Sequence, residues 1–104
     1  MNLIGITSGL AADAGRQCPE GFRAWLGEVR SAHWPDAGRM MECFPKCWRL
    51  ARDEFHFSLG PDDIGIQAHV FFGPGLVVAH RIAPRPVVPN AARAAVKAGT
   101  SLSV

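Results

Sequence analysis

The sequence predicts an α+β domain: an N-terminal strand and two helices packed on one face of a small antiparallel sheet. An apolar stripe at helical spacing lies in the first half, with Phe22, Trp25, Leu26 and Val29 at i, i+3, i+4 and i+7. Past Trp48 the period changes to two, as Phe55, Phe57 and Leu59 alternate with Glu54, His56 and Ser58. The length of 104 residues, 48% of them hydrophobic and 19% charged, suits a single core.

Asn2 to Thr7 is rich in β-formers and reads as a first strand. Ser8 to Arg16 is a candidate small-residue helix with Ser8 as its N-cap, weakened by Gly9 and Gly15. The striped helix begins at Pro19, which suits a first turn, with Glu20 complementing the dipole. It must end at Trp34-Pro35, because the residue before proline disfavours the α region. Pro35 can open a second helix running to Phe44, with Met40, Met41 and Phe44 inward and Pro45 closing it. Turn chemistry at 60–63 and at Gly73-Pro74-Gly75 then divides a three-stranded meander. Residues 1–83 form the predicted domain. Residues 84–104 form a Pro/Ala-rich tail, with Ala91 to Ala98 as a candidate short helix.

The turns set a register. Leu59 opposing Ile64 places Phe57 against Ile66 and Phe55 against Ala68; Phe72 opposing Leu76 places Val70 against Val78. All these positions are apolar, so they mark the face that the helices cover. The opposite face carries His56 beside Gln67 beside Arg81, with Glu54 beside His69 in the next row. His80 falls on the apolar face near Ala68 and is expected to be buried and hydrogen-bonded. A row of imidazole, amide and guanidinium can perform acid–base work on a phosphodiester. Such work needs a base for the 2′-hydroxyl, an acid for the departing 5′-oxygen and a cation for the charge on phosphorus. The plainer alternative is a solvated sheet face, which is ordinarily polar.

Composition narrows the function classes. No apolar run approaches the ~20 residues of a membrane helix. The first residues lack a basic region followed by a long apolar one, so no secretory signal is read. Three cysteines, an odd number, suit a reducing cytoplasm. Nine acids and seven basic residues lie in 1–63, whereas 64–104 holds four basic residues and no acid. A basic second half is compatible with RNA or with a solvated tail. Lys46, Arg49 and Arg52 around Trp48 mix charge and aromatic surface in a way that suits RNA, although Asp53 and Glu54 follow directly. Cys43 and Cys47 stand at a spacing seen in some zinc sites, with Cys18, His33 and His56 as conceivable partners. Pro45 and the lack of a second tight pair argue against it, so no metal and no cofactor are expected. The common phosphate-loop, dinucleotide, zincin and nucleophile-elbow motifs do not occur.

The run Phe22-Arg23-Ala24-Trp25-Leu26-x-Glu28-Val29-x-x-Ala32-x-Trp34, followed by Met40 and Phe44-Pro45, resembles the HigB-like toxins of the RelE superfamily. There a helix reading (L/F)-R-A-W-x-x-x-V-x-x-A-x-W leads into a second helix ending in F-P. Phe55-x-Phe57-x-Leu59 is similar to the family's V-x-F-N-I strand, and residues 61–82 can be laid on its following hairpin without a gap. The likeness covers about residues 20–82. Departures concern the chemistry. Gly65 stands where the family has arginine, and His80, followed by Arg81, where it has a basic residue. The family's T-H-x-E-Y-D ending becomes Pro84-Arg85-Pro86-Val87-Val88-Pro89, with Arg85 at the histidine.

The resemblance implies a RelE-like fold and the toxin of a type II toxin–antitoxin system. Such a toxin is a ribosome-associated, metal-independent mRNA endonuclease held inactive by a helix-turn-helix, HigA-like antitoxin in the cytoplasm. No family catalytic residue carries over intact. On the derived face the expected catalytic residues are His56, His69 and Arg81, with Gln67 and Arg85 binding substrate; Lys46 and Arg49, beside Trp48, are also expected to bind it. The alternative is a catalytically degenerate toxin fold that binds protein or RNA.

Overall fold

The computed structural model describes residues 1–60 and 64–85. Those residues form three helices and five strands: β1 (Asn2–Ile4), α1 (Ser8–Gln17), α2 (Pro19–Ser31), α3 (Ala37–Cys43), β2 (Cys47–Arg49), β3 (Glu54–Ser58), β4 (Ile64–Phe71) and β5 (Leu76–Pro84). The α+β class is as the periodicity predicts. The sheet has the order β1-β5-β4-β3-β2. The candidate helix at Ala91 to Ala98, and the tail from residue 86 onward, lie outside the described residues.

Two features differ from the expected layout. The sheet is mixed, because β1 runs parallel to β5, pairing Leu3 with Val77. A parallel neighbour needs a long crossover, and the three helices between β1 and β2 supply it. The helix count is three, because Leu10 and Ala14 of α1 are buried and tertiary packing outweighs the cost of Gly9 and Gly15. The cap of α1 is Thr7, whose Oγ1 accepts from the Leu10 N–H at 3.1 Å, one residue before the expected Ser8. Gly5 makes the preceding turn with φ +88°, and a Cβ there would lie 2.0 Å from the Ala79 carbonyl oxygen. Only glycine satisfies both demands.

Pro19 does open α2, and Cys18 both ends α1 and precedes α2, so the chain turns abruptly between them. Helix α2 stops at Ser31, ahead of Trp34-Pro35. In α3 the start is set by Asp36, whose side chain accepts from the Arg39 N–H at 3.0 Å; Pro35 lies just outside the helix. The helices bury their stripes on the sheet through a chain of rings. Trp34 meets Phe44 edge-on at 5.7 Å, Phe44 meets Phe57 at 5.2 Å, and Phe57 meets Trp25 at 5.6 Å. Phe55, Ile66, Ala68, Val70, Val77 and Ala79 complete that face.

Burial also sets the order of thiol reactivity. Cys43 is exposed, whereas Cys18 and Cys47 are buried. Burial raises the Cys18 thiol, with Asp13 adding to the effect, and pushes Cys47 up to about 12. Alkylation of the folded chain near neutral pH is expected to modify Cys43 first, as peptide mass spectrometry would read. Equal labelling of Cys47 would contradict this core. The same shift carries a pH dependence. The unfolded Cys47 thiol ionises near its ordinary 9.0 and the folded one only near 12, so its contribution is full below pH 9 and is lost as pH rises between the two. The chain has no tyrosine to mask the effect. Cys47→Ala is expected to flatten the fall in unfolding free energy above pH 9, read from urea titrations at several pH values.

Candidate active site

The uncovered face of the sheet is organised by one irregularity. Strands β3 and β4 pair as predicted, Phe55 with Ala68, His56 with Gln67 and Phe57 with Ile66. Between β4 and β5 the turn is four residues long, Phe72 to Gly75, and Gly75 closes it with φ +71° and an N–H to the Phe71 carbonyl at 3.0 Å. Phe71 therefore opposes Leu76 and Val70 opposes Val77, a shift of one residue from the expected pairing. Alternation along β5 would then turn Arg81 toward the core. A β-bulge between Ala79 and Arg81 restores the register, so Gln67 does oppose Arg81, as predicted.

His80 is the extra residue of that bulge. It is exposed rather than buried near Ala68, which corrects the sequence expectation. Its Nε2 lies 3.0 Å from Glu54 Oε2, and its ring stacks on His69 with centroids 5.1 Å apart. His69 stacks in turn on Phe71 at 6.2 Å. Three strands thus contribute Glu54, His69 and His80 to one solvent-facing cluster. Its acid–base groups are 25% exposed at Glu54 and 34% at His80, open enough for a ligand to reach.

Beside the cluster runs a row across four strands: Trp48, His56, Gln67 and Arg81. The Arg81 Nε donates to Gln67 Oε1 at 2.6 Å, which fixes the amide orientation, since only its oxygen can accept. The Gln67 Nε2 is buried with no hydrogen-bond partner among the described residues. Arg85, just past β5, lays its guanidinium over the Trp48 ring, 4.2 Å from the centroid. Trp48 and His56 are neighbouring rings at 6.2 Å.

The predicted site residues divide accordingly. His69 and Arg81 stand on the accessible face. His56 and Gln67 are on it but buried, 0% and 1% exposed, so neither meets a substrate as placed. Arg85 reaches the face at Trp48. Arg49 does not: it pairs with the core-facing Phe55, and its Nε and Nη2 donate to the Arg52 carbonyl at 3.1 and 2.7 Å. Lys46 is exposed just before β2, its carbonyl accepting from the Ser58 N–H. The sequence pattern puts His80 in the core and gives Glu54 no partner but His69, whereas the structure brings both to the cluster. The sequence of β5 alone does not mark the bulge, because Leu76, Val77, Val78 and Ala79 form one apolar run that fits either alternation.

Gly65 explains how His56 is accommodated. A Cβ at Gly65 would lie 2.0 Å from the Phe57 carbonyl oxygen and 2.9 Å from the His56 Nε2. The position that carries arginine in the toxin motif thus has room for no side chain here. Gly65→Ala is expected to cost about 1–3 kcal/mol, as overpacking does, and to displace the His56 ring. Urea unfolding and histidine ring shifts in NMR spectra would read both; unchanged values would contradict this packing.

No protein-family model matches the chain, and no curated protein matches it at a significant level.

Proposed function

We propose that the chain is an endoribonuclease of the HigB-like, RelE-superfamily kind, which cuts ribosome-bound mRNA as the toxin of a toxin–antitoxin pair. The observation that carries this reading is the partly exposed Glu54–His80–His69 cluster, in which His80 is the residue before Arg81 on β5. His80, oriented by the Glu54 carboxylate, takes the proton of the 2′-hydroxyl as its oxygen attacks phosphorus. His69 gives a proton to the departing 5′-oxygen, and a 2′,3′-cyclic phosphate remains. Gln67 holds Arg81 through Nε, leaving the terminal nitrogens for the phosphate oxygens, where negative charge gathers. The Trp48–Arg85 pair offers a surface on which an unpaired base stacks. No step needs a metal.

The motif of Phe22 to Trp34 supports the toxin kinship, and with it a helix-turn-helix antitoxin as partner and the cytoplasm as the place of action. Among the described residues no helix is long and apolar enough to cross a membrane. A second reading, a toxin fold that binds RNA or protein without cutting, is favoured by the burial of His56 and Gln67, which closes the middle of the face.

Induced expression is expected to arrest growth, and the purified chain to leave cyclic phosphate ends on ribosome-bound mRNA with a chelator selective for zinc-class ions present. His80→Ala and His69→Ala are each expected to lower kcat by about 10²–10⁴-fold. Arg81→Ala is expected to lower it by about 10²–10³-fold. Cleavage that survives loss of both imidazoles would reject this site. An inert wild type that still retains RNA, with affinity falling as salt rises, would establish the binding module instead.

A further inference from the structure

We propose that Glu54, His69 and His80 form a binding site for a divalent transition metal of the zinc class. Each side chain offers one ligand atom, and all three atoms lie within 4.8 Å of one another. A tetrahedral zinc with bonds of about 2.0–2.1 Å holds its ligand atoms about 3.3–3.4 Å apart. The Glu54 Oε2 to His80 Nε2 distance of 3.0 Å already matches that scale, and rotation of the partly exposed side chains closes the rest.

The chemistry of the donors selects the ion. Two imidazole nitrogens and one carboxylate oxygen suit zinc and its neighbours, whereas calcium and magnesium prefer oxygen alone. The ligands stand on three adjacent strands, a rigid base, and the bulge is what turns His80 to join the other two. Arg81, the nearest cation in sequence, is drawn to Gln67 by its 2.6 Å hydrogen bond. Three protein ligands on a solvent-facing surface leave the fourth position to water. Two of the three cysteines take no part: Cys18 and Cys47 are buried in the core beneath the opposite face, and the exposed Cys43 is the last residue of α3, among the helices that cover that face.

The inference stands apart from the nuclease reading, although the two meet at the same imidazoles. An ion held by His69 and His80 removes the base and the acid from the RNA, so zinc would inhibit cleavage.

The test titrates zinc into the untagged full chain against a chromophoric chelator, with no RNA present. One ion per chain is expected, bound at micromolar concentration or tighter. His69→Ala, His80→Ala and Glu54→Gln are each expected to weaken it at least about tenfold, since even outer-sphere partners of a metal are worth about 10–100-fold. Circular dichroism would show that each variant keeps its fold, and the near-isosteric Glu54→Gln guards against a folding artefact. Cys43→Ser and His33→Ala are expected to bind as the wild type does. Cobalt in place of zinc is expected to show visible bands that the triad variants lose. No binding at micromolar zinc, binding that survives loss of both imidazoles, or binding abolished by Cys43→Ser would each overturn the site. A chain that binds zinc through the triad yet leaves RNA intact keeps the metal site and loses the nuclease.

Discussion

Strand β5 holds one residue more than β4 can pair with, and the arrangement of both sheet faces depends on where that residue sits. Val77, Ala79 and Ile82 must all face the helices, but strict alternation cannot place the first two and the third on one side. The bulge at His80 resolves the conflict. It keeps three apolar residues in the core and puts two consecutive polar ones, His80 and Arg81, on the open face. Burial of the apolar side chains and assembly of the polar cluster are therefore one event.

The open face is crowded as well as polar. His56 and Gln67 are as fully buried as the core phenylalanines, held between Trp48 on one side and Arg81 on the other. Burying amides and imidazoles costs free energy unless hydrogen bonds replace those made to water. The Arg81–Gln67 bond replaces one of them and gives the guanidinium a fixed base. Gly65 contributes by absence, because the His56 ring and the Phe57 carbonyl occupy the space that its side chain would need. The buried residues hold the row in place, and the accessible chemistry passes to its neighbours in the next row.

Much of this could be read from the chain. The stripe from Phe22 to Val29, the switch of period near Trp48, and the β3–β4 register all follow from local patterning, because a buried face repeats at the spacing of the backbone that carries it. Thr7 in place of Ser8, Asp36 in place of Pro35, and α1 itself were less legible. Helix ends depend on which side chain reaches an unpaired N–H, and weak helices on what they pack against.

The class of fold, the apolar faces of β3 and β4 and the pair His56–Gln67 follow from the sequence, since these rest on periodicity and on the spacing of the strands around residues 60–63. Tertiary structure alone decided the rest: the parallel seat of β1, the accessibility of each polar side chain, and the meeting of Glu54, His69 and His80. A four-residue turn and a one-residue bulge shift the register in opposite senses. Their sum restores Arg81 to its expected partner while turning His80 from the core to the surface. Alternation along a single strand carries no record of such a compensation, because it is set by pairing with a neighbour.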